Sequence, residues 1–73
     1  MNKFINPQIH LFSQPVKGKV EKSITSNTKG WIKFQGSYWS AKLYNSSQIG
    51  TISSGQLVKI VGREGITLLV IPA

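Results

Sequence analysis

One stretch, Gly30 to Lys42, constrains the fold more than any other part of the chain. Apolar and polar residues alternate in it on both sides of the dipeptide Gly36-Ser37, which is the pattern of two strands joined by a tight turn. Glycine at the first position of a two-residue loop suits a type II′ turn, because that position needs a positive φ. The stretch therefore predicts a β-hairpin with Gly36 and Ser37 as its loop.

This hairpin is expected to have one dry face and one wet face. The dry face carries apolar side chains, and its predicted facing pairs are Phe34 with Trp39 and Ile32 with Ala41. The wet face carries aromatic, basic and polar side chains, and its predicted pairs are Gln35 with Tyr38, Lys33 with Ser40 and Trp31 with Lys42. We expect the dry face to enter the core and the wet face to be a candidate binding surface.

A second hairpin is predicted near the end of the chain, from strands 57–62 and 66–71. Residues 63–65 form its loop, with Gly65 left-handed, and Arg63 and Glu64 are expected to be solvated there. The inward pairs are predicted to be Ile60 with Leu68 and Val58 with Val70. The opposite face also carries apolar residues, namely Val61, Leu69 and Ile71. Either the N-terminal segment or another chain is expected to cover that face.

The remaining segments complete a small barrel. Residues 16–24 predict a first strand, in which Gly18 marks a bend or a close backbone approach. Residues 45–55 predict a loop across one end, held by Ile52, and residues 1–15 predict an extension that is either an edge strand or a loose tail. We expect one domain over residues 16–73, an all-β, five-stranded antiparallel Greek-key barrel of the OB type, with an SH3-like barrel as the alternative.

The composition limits the chemistry available to the chain. It has no Cys, one His and two acidic residues against nine Lys and Arg, and a net charge of +7. A metal site needs several converging N, O or S ligands, so we expect no metal and no other cofactor. No nucleophile lies in a strained, glycine-flanked turn with a base partner, so no catalytic site is expected. The charge favours either an acidic partner or simply a self-repelling surface.

Nothing in the sequence predicts a membrane span. The longest apolar run, residues 66–71, is far shorter than the roughly 20 residues needed to cross a bilayer. The N-terminal residues lack the continuous apolar core of a signal peptide. A cytoplasmic location is therefore expected by default.

From Gly30 onward, the spacing of particular residues resembles the C-terminal soluble domain of NfeD-like proteins. The family pattern is a Gly-x-Val-x-Phe/Ile-x-Gly hairpin, a Trp-x-Ala strand, an Ile-x-x-Gly turn, Val-x-Val and a final Gly-x-x-Leu-x-Val-x-Pro. The matching positions are Gly30, Gly36, Trp39, Ala41, Gly55, Val58, Ile60, Gly65, Leu68, Val70 and Pro72. The similarity covers residues 16–72, but the family's Leu-x-Pro-x-Gly approach to the second strand is replaced here by residues 26–30 without the proline.

The resemblance implies a five-stranded OB-like barrel that acts as a non-catalytic interaction module. Family members are associated with stomatin- or flotillin-type membrane proteins, so such a protein is the implied partner, and it would bring the chain to a membrane. The matching positions are core and turn residues. The resemblance therefore implies the fold and the kind of partner, and it assigns no binding residues.

Two surfaces are candidates for binding. One is the wet face, with Trp31, Lys33, Tyr38 and Lys42, and the other is the apolar outer face, with Val61, Leu69 and Ile71. Protein–protein interaction, including homo-oligomerisation, could use either surface. The alternative function is single-stranded nucleic-acid binding through the wet face, because OB barrels bind strands there with aromatic and basic side chains.

Overall fold

A computed structural model describes residues 9–44 and 50–73. Seven strands follow one another in these residues: β1 Ile9–Lys22, β2 Ile24–Thr25, β3 Gly30–Phe34, β4 Ser37–Leu43, β5 Thr51–Ile52, β6 Leu57–Glu64 and β7 Thr67–Pro72. Within the described ranges there is no helix of the length and apolarity needed to cross a membrane. The predicted extension and loop lie partly outside these ranges, at residues 1–8 and 45–49.

Five strands close into a barrel in the order β1-β3-β4-β7-β6, and β6 pairs back to β1. The predicted all-β, five-stranded barrel of the OB type is confirmed. Its description as antiparallel is corrected, because β4 and β7 are parallel, with Ala41 opposite Leu68. Strand directions cannot alternate all the way round a ring of five, so at least one neighbouring pair must be parallel. The barrel is therefore mixed.

The loop between β3 and β4 is Gln35–Gly36, and the prediction of Gly36–Ser37 is wrong. Both loop residues have positive φ, 53° and 81°, as in the type I′ turn, whose twist matches that of the flanking strands. The facing pairs are Phe34 with Ser37, Lys33 with Tyr38, Ile32 with Trp39, Trp31 with Ser40 and Gly30 with Ala41. The register differs from the predicted one by two residues, so every side chain keeps its predicted face.

The loop between β6 and β7 is Gly65–Ile66, so the predicted three-residue loop 63–65 is also corrected. Gly65 has the predicted positive φ, 62°. A register irregularity lies between Ile60 and Gly62, and the pairs around it are Glu64 with Thr67, Ile60 with Val70 and Val58 with Pro72. This register differs from the predicted one by two residues at Val58 and Ile60 and by three next to the loop, and the predicted inward side chains all lie in the core.

The core fills the interior of the barrel and extends to the separate β2–β5 ribbon at one end. Its buried apolar residues are Val20, Ile24, Ile32, Ala41, Leu43, Ile52, Val58, Ile60, Leu68 and Val70, with Phe12, Phe34 and Trp39 packed against them. The predicted dry face and the predicted anchoring residue Ile52 are thus confirmed. Gly18 is a position of close approach, because a Cβ there would lie 2.9 Å from Cδ1 of Ile60.

β1 begins earlier and ends earlier than the predicted first strand over residues 16–24. It starts at Ile9, and its first residues, Ile9–Leu11, pair with the end of β6 from Gly62 to Glu64. It ends at Lys22, and Ile24 begins the short strand β2. The described part of the N-terminal extension therefore lies in the same strand as residues 16–22.

Candidate functional site

The structure separates the predicted site residues into three groups. Trp31, Lys33 and Tyr38 lie on the outer face of β3 and β4, and all three are exposed. Lys42 and Leu69 lie at a cleft beside one end of the barrel. Val61 and Ile71, on β6 and β7, are half-buried. Each predicted surface therefore loses one residue to the cleft: Lys42 from the wet face and Leu69 from the apolar outer face.

The first group forms a small aromatic and basic face. Trp31 and Tyr38 are 45% and 63% exposed. Nζ of Lys33 lies 5.9 Å from the centroid of the Tyr38 ring, within the range of a cation–π contact. The corrected register places Trp31 opposite Ser40 instead of Lys42. One face of the Tyr38 ring is thus already occupied by a cation.

Lys42 does not act as a free cation of the wet face, because it forms an ion pair with Glu64. Lys42 lies on β4 and Glu64 at the end of β6, so the pair crosses the strand β7 that separates them. Both side chains are partly buried, Lys42 at 38% exposure and Glu64 at 24%. The expectation of a solvated Glu64 is corrected accordingly.

Leu69 is only 1% exposed, so it is not available on an apolar outer surface. Alternation along the strand predicts an outward side chain, but at this position the outer side of β7 is not open to solvent. Lys42 of β4 and Gly62 of β6 are the cross-strand neighbours of Leu69, and the long stem of a lysine readily covers apolar surface. Leu69 is therefore a buried residue at the wall of the cleft.

The cleft is open, has a volume of about 430 Å³ and lies between residues 25–29 and the end of β6. Thr25 organises the loop that forms one wall. Its Oγ1 accepts hydrogen bonds from the backbone N–H groups of Asn27 and Thr28, at 3.2 and 2.9 Å, in the manner of a threonine turn. The opposite wall includes Ile9, Tyr44 and the Lys42–Glu64 ion pair.

A second cleft adjoins the first and shares Lys29, Lys42 and Glu64 with it. It reaches the tip of the β6–β7 hairpin, where Ile66 is 82% exposed. Nζ of Lys29 donates a hydrogen bond to Oγ1 of Thr67 at 3.5 Å, which joins the loop 26–29 to the start of β7. The loops between the first and second and between the fourth and fifth barrel strands flank the usual ligand-binding region of OB folds, and these clefts lie between those two loops.

Sequence reasoning missed this pair of clefts. Its walls come from residues far apart in the chain, and only the pairing of β4 with β7 brings them together. No local pattern in residues 25–29 or 64–66 signals a site. Among the described residues, no cluster of His, Asp or Glu could hold a metal ion. The clefts instead offer hydroxyl groups, one ion pair and exposed apolar side chains, and these groups are suited to binding.

The fold and these surfaces define a small OB-type β-barrel binding domain. Residues 16–72 match the family described as NfeD-like C-terminal, partner-binding domain. This match spans more than half of the chain, and the chain belongs to that family. The resemblance stated from the sequence is thereby confirmed.

Solved structures that are similar to this chain include two protein domains. The C-terminal domain of stomatin operon partner protein 1510-C from Pyrococcus horikoshii is 31% identical, with a TM-score of 0.65 over 82% of this chain and 86% of that chain. The soluble domain of a membrane protein implicated in regulation of membrane protease activity from Corynebacterium glutamicum is 24% identical, with a TM-score of 0.70 over 81% and 89%. The second likeness shows the fold alone. No curated protein matches the chain.

Proposed function

We propose that this chain is a non-catalytic module that binds a stomatin- or flotillin-type membrane protein and is held at the membrane by that partner. The family is a partner-binding domain, and one similar structure is named as a stomatin operon partner. The observation that carries the proposal is the pair of adjoining clefts between residues 25–29 and the β6–β7 hairpin.

These clefts have the mixed character of a protein-binding surface. Ile9, Tyr44 and Ile66 are exposed apolar or aromatic side chains, and they surround the partly buried ion pair of Lys42 and Glu64. Apolar anchors that bury against a partner, with polar groups around them, supply most of the affinity at protein interfaces. An extended segment of the partner with apolar side chains fits this arrangement.

The nucleic-acid alternative has less support from the geometry. Lys42, one of the basic side chains of the predicted wet face, forms an ion pair with Glu64. Tyr38, which was to stack on a base, has Lys33 over its ring. A base would have to displace Lys33 before it could stack on that face of the ring. We therefore do not propose it as a second function.

Homo-oligomerisation through the outer face of β6 and β7 stays a prediction. Val61 and Ile71 are half-buried and Leu69 is buried, so little apolar area is left there for a second copy. Analytical ultracentrifugation of the full chain measures the oligomeric state directly.

The proposed function is tested by calorimetric titration of the chain with a purified stomatin-type protein from the same organism. Ile66→Ser should weaken binding about tenfold, because it removes an exposed apolar anchor without emptying the core. Leu57→Ser is the matched control, since Leu57 is also an exposed apolar residue but does not line the clefts, and it should bind like the unaltered chain. Absence of binding, or equal effects of the two substitutions, would refute the proposal.

A further inference from the structure

Five lysines lie on one continuous outer face of the barrel, which spans β6, β1 and β3. They are Lys17, Lys19, Lys22, Lys33 and Lys59, and all are exposed. Four of them, Lys17, Lys19, Lys33 and Lys59, adjoin a buried residue on their strand, so their side chains point away from the core. Lys22 follows the register irregularity of β1 and lies opposite the exposed Trp31. We call these five residues the lysine face.

Cross-strand pairing brings these lysines next to one another. Lys17 lies directly opposite Lys59, and Lys19 lies directly opposite Lys33. Like charges in directly opposite positions destabilise a sheet. Two such pairs, two residues apart along β1, concentrate positive charge on a small area.

The chain has little negative charge with which to compensate this face. Its acidic residues are Glu21 and Glu64, and Glu64 is paired with Lys42 beside the cleft. Glu21 lies at the register irregularity between Val20 and Lys22 and forms no ion pair with a lysine of this face in the described ranges. An anionic partner would therefore relieve the repulsion among these lysines.

The lysine face also has an aromatic border. Lys22 lies opposite Trp31, and Lys33 lies opposite Tyr38. Both aromatic side chains are exposed. Tryptophan and tyrosine are the side chains that lie at the boundary between lipid headgroups and acyl chains, and clustered lysines are attracted to anionic headgroups.

We propose that the lysine face binds the anionic surface of a lipid bilayer, with Trp31 and Tyr38 at the headgroup level. The inference does not rest on the proposed function, because none of its residues lines the clefts assigned to the protein partner. The two surfaces can be occupied together, one by the bilayer and one by a membrane protein.

A bilayer fits this face better than a nucleic-acid strand does. The lysines are spread over three adjacent strands of the sheet, whereas single-stranded binders line a groove that follows one backbone. Nζ of Lys33 lies 5.9 Å from the centroid of the Tyr38 ring, so a base that stacks on that face would compete with the lysine. A charged plane with two aromatic side chains at its edge matches the geometry of a headgroup layer.

The test is flotation of the full chain with vesicles of phosphatidylcholine alone and of phosphatidylcholine mixed with phosphatidylserine, at low and near-physiological salt. The chain should float with the mixed vesicles and not with those of phosphatidylcholine alone, and added salt should weaken binding. Each lysine near an anionic leaflet contributes about fivefold to affinity. Lys19→Gln with Lys33→Gln should therefore reduce binding about 25-fold.

Matched variants distinguish the effect of the lysine face on binding from the effect of total charge. Arg63→Gln removes one positive charge from an exposed residue outside the face and should bind more tightly than Lys33→Gln. Lys33→Arg keeps the charge and should restore binding. Thermal melts of all variants show whether each is folded.

Trp31 supplies a second readout. Its fluorescence should shift to the blue when mixed vesicles are added, and Trp31→Phe should abolish that shift because Trp39 is already packed against the core. The proposal is overturned if the chain ignores the mixed vesicles, if Arg63→Gln and Lys33→Gln weaken binding equally, or if oligo-dT binds where the vesicles do not. If inorganic phosphate bound the lysine face as tightly as the vesicles do, the face would be a site for a small anion. That result would also overturn the proposal.

Discussion

Gly30 and Gly36 lie in one hairpin but are constrained for different reasons. A Cβ on Gly30 would overlap the carbonyl oxygens of Lys22 and Ser23 and approach Ile24 to 2.7 Å. Gly36 has open space around it and instead needs a positive φ of 81°. The first glycine is required by packing and the second by backbone conformation.

Alanine at these two positions should therefore have unequal costs. We expect Gly30→Ala to destabilise the fold by about 3 kcal/mol, since backbone atoms must shift, and Gly36→Ala by about 1 kcal/mol, the cost of a left-handed alanine. Urea unfolding monitored by tryptophan fluorescence measures both. The interpretation fails if Gly36→Ala proves to be the more damaging substitution.

Trp39 shows how a contact can survive a wrong register. It was expected to face Phe34, and it faces Ile32. The two aromatic rings nevertheless meet edge to face, with centroids 6.4 Å apart. Diagonal neighbours on one face of a sheet remain within reach of large side chains, so the predicted packing partner is correct although the predicted pair is wrong.

Among the elements, the β3–β4 hairpin offers the most direct test of register. Gln35 has a φ of 53°, which asparagine tolerates better than glutamine does. Gln35→Asn should therefore stabilise the protein by about 0.5–1 kcal/mol, because Asn-Gly is the preferred type I′ pair. A loop at residues 36–37 would leave residue 35 in a strand, where asparagine is unfavourable, so destabilisation in urea unfolding would contradict the observed turn.

Much of the fold could be predicted from the sequence, because alternation in strands reports which face is buried. Both predicted hairpin loops are misplaced, yet the register differs by two residues in the β3–β4 hairpin and at Val58 and Ile60, and the residues predicted to face inward do so. The loop itself could not be predicted, because nothing about Gln35 signals a left-handed conformation. The start of β1 was also unclear, since residues 9–15 have no clean period.

The candidate site was less predictable than the fold. Trp31, Lys33 and Tyr38 follow from alternation alone and lie on the outer face, as predicted. The ion pair of Lys42 with Glu64 depends on β7 being inserted between β4 and β6, which local patterns do not reveal. The lysine face arises in the same way, because Lys17 and Lys59 become neighbours only when β6 closes the barrel onto β1.

For the molecule as a whole, the net charge lowers stability in solution. A net charge of +7 in a chain of 73 residues destabilises the compact state through self-repulsion. Much of this repulsion arises on the lysine face, where the charges are exposed and open to screening by salt.

Raising the salt concentration from low to moderate should therefore stabilise the protein. The urea midpoint at neutral pH should increase with sodium chloride, and the increase should be smaller for Lys19→Gln combined with Lys33→Gln. The ion pair of Lys42 with Glu64 should weaken at the same time, but it is one pair against many repulsive ones. A midpoint that falls with salt would show that attractive charge pairs dominate instead.

β1 extends beyond its pairing with β3, and this has a consequence for self-association. In the described ranges, residues 9–11 and 16–17 pair with β6, and β3 pairs with β1 only from Lys19 onward. A half-paired segment of this kind presents backbone groups to which another chain could add a strand. Pro15 has no N–H to donate, and Lys17 places a charge beside it, and both features disfavour strand addition. The part of β1 that β3 does not pair with is thus protected against strand addition by a second copy of the chain.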